Sequence, residues 1–332
     1  MRLSKRIVCV FVCAVLGAVE LCAQWKPDKP ITIIVPWSYG GGNDFVTTVI
    51  ADELGKALGV SIIKVNMPGG AGTTGTKNVL DAPRDGYTWA SGTADDLALY
   101  KVLGRLDTDI QNDWEVFLSI GYFGIVGVNA DSKYKSFSDL LADFKANPGK
   151  IGVAIGREYS EDTFYMELIK KHAGINYKPV IYDFVGDKID AVVSGEVMVA
   201  ATNGQAKMIK EGKIRPLAAM ADTDFNLQGY GVIPSVRKWI PELKIGMKYY
   251  GIFIPKGVPK EVIDTVTDVW NKTIPGNPAI QRIANAAAGV LDPSSGQAAQ
   301  GKARGFYQHM AWYYHDIGLA NVLPDTVGIP RP

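Results

Sequence analysis

Cysteine is the first scarcity. The 332 residues hold only Cys9, Cys13 and Cys22, all within the first two dozen positions. The rest of the chain therefore offers no thiol for a disulfide framework, a thiolate metal site or a cysteine nucleophile. Histidine is as rare: His172, His309 and His315. All three fall in segments of helical pattern away from the glycine-rich loops described below, which points to packing or surface roles rather than to a general base or a metal ligand. Neither H-E-x-x-H nor G-x-S-x-G occurs. Charge shows no surplus of either sign, with 35 basic and 34 acidic residues, so nothing argues for nucleic acid as a partner. Long hydrophobic runs are missing too: Ile7 to Ala18 is short of the roughly 20 residues of a membrane-spanning helix.

That short run has a different reading. It follows Arg2, Lys5 and Arg6 and precedes Ala23, a small residue suited to cleavage, so residues 1–23 are expected to be a signal peptide and the mature protein to be exported to the periplasm. Lipid attachment at Cys22, which follows the bulky Leu21, and an uncleaved anchor are the alternatives. Removing residues 1–23 leaves 309 residues and turns 35 basic and 34 acidic residues into 32 and 33. That length suffices for two domains with a sizeable core in each.

Strand and helix signals alternate through most of the chain, which predicts an α/β protein with a mainly parallel sheet in each domain. Strands are expected at Ile31–Val35, Ser61–Val65 and Tyr87–Ala90, with a short helix near Lys77–Leu80. Trp114 to Asn129 is apolar without helical period and long enough to cross between domains. A second alternating set runs from Phe137 to Met220. Tyr249–Ile254 reads as a strand that returns the chain to the first domain.

The stretch IVPWSYGGGNDF (34–45) joins a buried strand to a helix marked by Phe45, Val46, Val49, Ile50, Leu54 and Leu58. Gly40, Gly41 and Gly42 let backbone approach a ligand, and the unpaired N–H groups of a helix start favour an anion, phosphate or carboxylate. The plainer reading is a tight turn with Asn43 or Asp44 as a cap. Gly70, Gly72 and Gly75 satisfy G-x-G-x-x-G, but Asn66, Met67 and Pro68 intervene after the strand, which weakens a dinucleotide reading; Thr76 stands where a P-loop needs lysine. Asp95 and Asp96 are adjacent and make a poor acid–base pair on a regular helix. Ligands of open sheets bind beyond the carboxyl ends of strands, so loops 37–44, 68–74, 91–93, 157–163 and 182–184 are expected to converge on one cleft. Ser160 is suited to cap the next helix, with Glu161 and Asp162 in its first turn.

KPITIIVPWSYGGGND (29–44), NMPGGAG (66–72), DGYT (85–88), NPGKI (147–151), EGKIRPLA (211–218) and GIFIPKGVPKEVI (251–263) together resemble the substrate receptors of tripartite tricarboxylate transporters, the Bug receptors. The resemblance spans essentially the whole mature chain in order. It implies a two-lobed periplasmic binding protein of type II-like fold, with lobe 1 from 24–124 plus 248–332 and lobe 2 from 125–247. It also implies a non-enzymatic receptor without cofactor or metal, monomeric, holding a small carboxylate (di- or tricarboxylate, aromatic acid or acidic amino acid) for membrane permease subunits. An exported enzyme acting on a small acid and a receptor serving a signalling partner are the alternatives. The site residues carried over, together with those of the converging loops, are Trp37, Ser38, Tyr39, Gly40, Gly41, Gly42, Asn43, Asp44, Gly69, Gly70, Ala71, Gly72, Thr73, Ser91, Thr93, Arg157, Ser160, Thr163, Tyr182 and Asp183.

Some residues depart from the family pattern. Trp37 and Tyr39 are bulkier than the usual Phe and Pro, Met67 replaces Arg, IGREYSEDT replaces a small Ser- and Gly-rich run, and Tyr182, Asp183 and Phe184 stand for Tyr-Lys-Gly. Arg157 could pair with a distal carboxylate. Asp183 or Glu161 could instead meet an amine, and the sequence does not choose between them.

Overall fold

The computed structural model describes residues 25–332; the expected signal peptide, residues 1–23, lies outside the described residues. The chain opens with β1 (Ile31–Val35), α1 (Gly42–Leu58), β2 (Ile62–Asn66), α2 (Thr73–Asp81), β3 (Thr88–Thr93) and α3 (Ala94–Leu99), then β4 (Trp114–Tyr122). Next come β5 (Ile125–Asn129), α4 (Phe137–Ala146), β6 (Gly152–Ile155), α5 (Glu161–Ala173), β7 (Lys178–Ile181), α6 (Val185–Ser194), β8 (Val199–Thr202), α7 (Ala206–Lys210) and β9 (Ile214–Ala219). A short hairpin, β10 (Phe225–Leu227) and β11 (Gly231–Ile233), precedes β12 (Lys248–Pro255), α8 (Lys260–Thr273), α9 (Pro278–Ala286), β13 (Val290–Ser295) and α10 (Gly296–Asp316).

Two sheets organise these elements into an α/β fold. One has six strands in the order β13-β4-β12-β3-β1-β2, the other five in the order β7-β6-β8-β5-β9. Both are mixed, not mainly parallel. The pairs β1/β2, β1/β3, β6/β7 and β6/β8 are parallel, as strand–helix–strand crossovers require. β12 runs antiparallel to β3 and β4, and β5 antiparallel to β8 and β9, because the segments that pass from one sheet to the other enter reversed. The chain makes that passage between β4 and β5, inside the apolar stretch expected to cross, and returns just before Lys248.

The local chemistry matches the elements. β-Branched residues fill β1, whose Ile31, Ile33 and Val35 are fully buried. Val46, Ile50, Leu54 and Leu58 give α1 one apolar stripe, and Gly59 ends it in the left-handed conformation with its N–H bonded to the Gly55 carbonyl. Beneath the six-stranded sheet Phe117 and Trp270 pack with ring centroids 5.5 Å apart. A second aromatic core joins the sheets, where Phe164 of α5 meets Phe306 and Tyr313 of α10. Four elements escaped the sequence pattern: α3, the hairpin strands β10 and β11, and β13. Pro293 and two serines disguise β13, an edge strand whose register shifts between Leu291 and Ser294.

Candidate functional site

Two helix starts lie side by side at the carboxyl ends of parallel strands β1 and β2. α1 begins after Gly41, which is extended, and no side chain caps it. α2 begins after Gly72, again without a side-chain cap. The approach to α2 is left-handed through Gly70 (φ 56°), Ala71 (55°) and Gly72 (93°), and Gly69 at φ 136° takes a conformation open to glycine alone. A methyl group on Gly72 would collide with the Tyr100 hydroxyl, and one on Gly75 would lie 2.9 Å from the Pro36 Cα. The G-x-G-x-x-G pattern thus serves a tight turn and the close packing of α2 on the end of β1.

Asp44 holds the first loop rather than facing outward. It is 2% exposed, forms an ion pair with Lys64, and accepts hydrogen bonds from the Gly40 N–H (3.0 Å) and Asn66 Nδ2 (2.9 Å). Burial works against its charge, but Lys64 and these donors win and keep the carboxyl below the usual range. Asn66 Nδ2 also donates to the Trp37 carbonyl at 3.0 Å. Ser38, Tyr39, Gly40, Gly41 and Gly42 are exposed, Tyr39 by 83%, and Thr73 donates its hydroxyl to the Gly70 carbonyl.

Behind these loops the polar groups are buried. Asn43 Nδ2, Ser91 Oγ and Thr93 Oγ1 are enclosed with no hydrogen-bond partner among the described residues. A methyl group on Gly42 would lie 2.7 Å from the Tyr250 hydroxyl, so β12 closes on the start of α1. Tyr250 stacks on Tyr122 with centroids 4.6 Å apart. Beside them Lys248 reaches Asp95 Oδ2 of α3 at 3.1 Å and Glu161 Oε2 of α5 at 3.7 Å. Asn203 Nδ2 donates to Glu161 Oε1 at 2.6 Å. Burial, with the charges of Asp162 and Asp95 adding to it against the pull of Lys248, pushes the Glu161 carboxyl up to about 7. Burial and the neighbouring Asp95 push Asp96 up to about 6. For Lys248 burial opposes the charged form, and the surrounding carboxylates override it and hold its pKa well above the ordinary lysine value.

The remaining expected residues divide. Ser160 caps α5, accepting from the Thr163 N–H, while Thr163 Oγ1 donates to the Gly156 carbonyl, so both hydroxyls are used locally. Arg157 and Asp183 pair with each other at 2.9 Å, both largely exposed. Tyr182 donates its hydroxyl to Glu196. The structure therefore brings together Asn43, Ser91, Thr93 and the two glycine loops, and leaves Arg157, Tyr182 and Asp183 engaged with one another or with Glu196.

Sequence reasoning missed Lys248, Tyr250, Tyr122 and Asn203 and dismissed Asp95. The available signal was a lysine and two tyrosines opening the otherwise apolar strand KYYGIFIP, and two acids in the apolar run after β3. His172 and His309 line a separate groove of about 600 Å³ between α5 and α10, away from both glycine loops.

Comparison with known proteins agrees with this architecture. A TctC solute-binding protein from Polaromonas superposes with a TM-score of 0.73 at 20% identity, covering 88% of this chain and 99% of that one. R. palustris Rpa4515, solved with adipate, gives 0.71 at 22% identity over 89% and 99%. The UPF0065 protein in the gbd 5′ region of Cupriavidus necator is 28% identical over 275 residues, 79% of this chain and 80% of the relative. The model of the TctC family, tripartite tricarboxylate transporter family receptor, matches residues 46–305. This chain therefore belongs to the tripartite tricarboxylate transporter receptor family and has the fold of a periplasmic solute-binding protein.

Proposed function

We propose that the protein is a non-enzymatic receptor that captures a small carboxylate in the periplasm and delivers it to the permease subunits of a tripartite tricarboxylate transporter. The observation that carries this reading is the pair of uncapped helix starts, α1 and α2, at the ends of neighbouring parallel strands. The free N–H groups at the start of α1 and the dipoles of both helices suit one carboxylate, held by the backbone of 38–43 and 69–73 directly or through ordered water. Asn43, Ser91 and Thr93 supply the polar floor, and Trp37, Tyr39 and the α5 side close over the ligand.

In this reading residues 24–124 with 248–332 form one lobe and 125–247 the other, with the hinge where the chain passes between sheets. Closure removes water from the bound acid, which strengthens each backbone contact, and shapes a monomeric receptor for the permease. Family membership and the adipate complex of a neighbour of the same fold support the class of ligand.

The test is thermal unfolding of the protein as exported, with mono-, di- and tricarboxylates, aromatic acids and amino acids. A ligand at a thousand times its dissociation constant stabilises by about 4 kcal/mol, and the matching acid should shift the midpoint clearly. Folded, ligand-free protein that responds to no acid would remove the carboxylate from this reading.

A further inference from the structure

Carboxyl groups outnumber cations beside the proposed anion site. Asp95 at the start of α3 faces Glu161 at the start of α5, and Asp96 and Asp162 are their chain neighbours. The ammonium groups among them are Lys248 and Lys188, and Lys188 is committed to a buried ion pair with Asp162. Arg105 is engaged on the Tyr159 ring, 4.5 Å from its centroid. Lys248 thus serves Asp95, Asp96 and Glu161 alone. Asp95 Oδ1 is left over, enclosed without a hydrogen bond in a side chain only 4% exposed, and Glu161 Oε2, 3.7 Å from the Lys248 ammonium, is enclosed without a hydrogen bond as well.

Enclosed carboxylate oxygens without donors are costly, and the cost falls if a further cation enters. A second anionic group there would raise it. The start of α5 is closed to anions as well, because Ser160 caps it and two acids occupy its first turn. Through Tyr250, which touches the start of α1 and feels the charges of Lys248, Glu161 and Asp95, this acidic wall adjoins the glycine loops.

We propose that the ligand is a small amino acid or other amino carboxylate, whose carboxylate sits on the glycine loops and whose ammonium group is received by Asp95 and Glu161. This rests on the receptor reading above and specifies its substrate class. Without ligand, burial of the wall is relieved by protonation of Glu161 and Asp96, each pushed up from its ordinary range. The ammonium takes over that role, so binding near pH 6.5 releases protons. The groups that face Glu161 and set this exchange are Lys248, Lys188, Asp95 and Asp162.

The experiment is calorimetric titration of the exported protein with matched acids: glutamate against glutarate, and 4-aminobutyrate against butyrate and succinate. At least one amino acid should bind tenfold or more tightly than its amine-free partners, with proton release seen as a dependence of the heat on buffer. Dicarboxylates binding without any amine preference would overturn this inference and leave the receptor reading intact. If none of these acids binds, this inference falls, and the wider screen of tricarboxylates and aromatic acids decides the receptor reading. In D95N and E161Q the preference should shrink at least tenfold while unfolding stays cooperative; a preference kept in both folded variants overturns the proposal, and if they do not fold the matched acids decide it.

Discussion

Helices α1 and α5 both follow a strand and face the region between the sheets, yet their first turns are built in opposite ways. α1 starts on glycine, has no side-chain cap, and ties its one early acid, Asp44, to Lys64. α5 starts on Ser160, which caps it, and carries Glu161 and Asp162 inward. One end offers bare N–H donors; the other covers its donors and adds negative charge. In the proposed reading the same element thus makes an anion-seeking surface in one lobe and a cation-seeking one in the other. Lys248, at the return from the second sheet to the first, is the cation that bridges α5 to α3, through Glu161 and Asp95.

The sharpest way to break that contrast is to remove the bridge. Lys248→Met leaves Asp95 and Glu161 facing each other without their shared cation. Because breaking a buried pair strands its partner, the expected loss is about 3–5 kcal/mol, read from urea unfolding. A loss under 1 kcal/mol at neutral pH would mean that the carboxyls are neutral or solvated and that Lys248 does not set the charge of the wall.

Changing pH sharpens the same contrast. A carboxyl whose folded pKa is raised binds its proton more tightly when folded, so its contribution is fully present below the unfolded value and is lost as pH rises through the folded one. For Glu161 the window runs from its ordinary 4.5 to about 7, and for Asp96 from 3.8 to about 6. Asp44 has the opposite sign, lowered when folded, so its contribution is lost on acidification below the ordinary carboxyl range. Unliganded protein should therefore lose stability between about pH 4.5 and 7, at most a few kcal/mol at roughly 1.4 kcal/mol per unit. The decline should flatten in E161Q. A flat profile in the parent protein would remove the buried acids from the account.

A smaller effect is expected at the first helix start. Gly42→Ala brings a methyl group to 2.7 Å from the Tyr250 hydroxyl, at the far end of a side chain that can move. Stability should fall by about 1 kcal/mol, while acid binding weakens tenfold or more because the backbone cradle is filled. Equal acid affinity in the variant would place the ligand elsewhere.

Much of the contrast could be read in the sequence, and the part that could not has a physical reason. The glycines, the crossing segment 114–129 and the Ser160 cap are local patterns, set by neighbours in the chain, and the structure places them as expected. Mixed sheets were not legible, because strand direction depends on where β5 and β12 enter. The acidic wall was not legible either: Asp95, Glu161 and Lys248 meet only after three segments fold together. Adjacency made Asp95 and Asp96 a poor acid–base pair, and the partner that matters lies far along the chain, because the fold turns Asp95 toward Lys248.

Arg157 and Asp183 provide the finest test of where lobe 2 reads its ligand. Their ion pair is exposed by 73% and 58%, so solvent screens it, and Arg157→Ala should change stability by no more than about 0.5 kcal/mol. If Asp95 and Glu161 do the reading, ligand preference should also stay within a factor of two or three, since the rim pair is satisfied by itself and lies outside the enclosed polar groups. A tenfold loss of dicarboxylate affinity would show instead that the pair opens on closure and that Arg157 turns inward to a second carboxylate. That outcome would move recognition from the buried start of α5 to the rim.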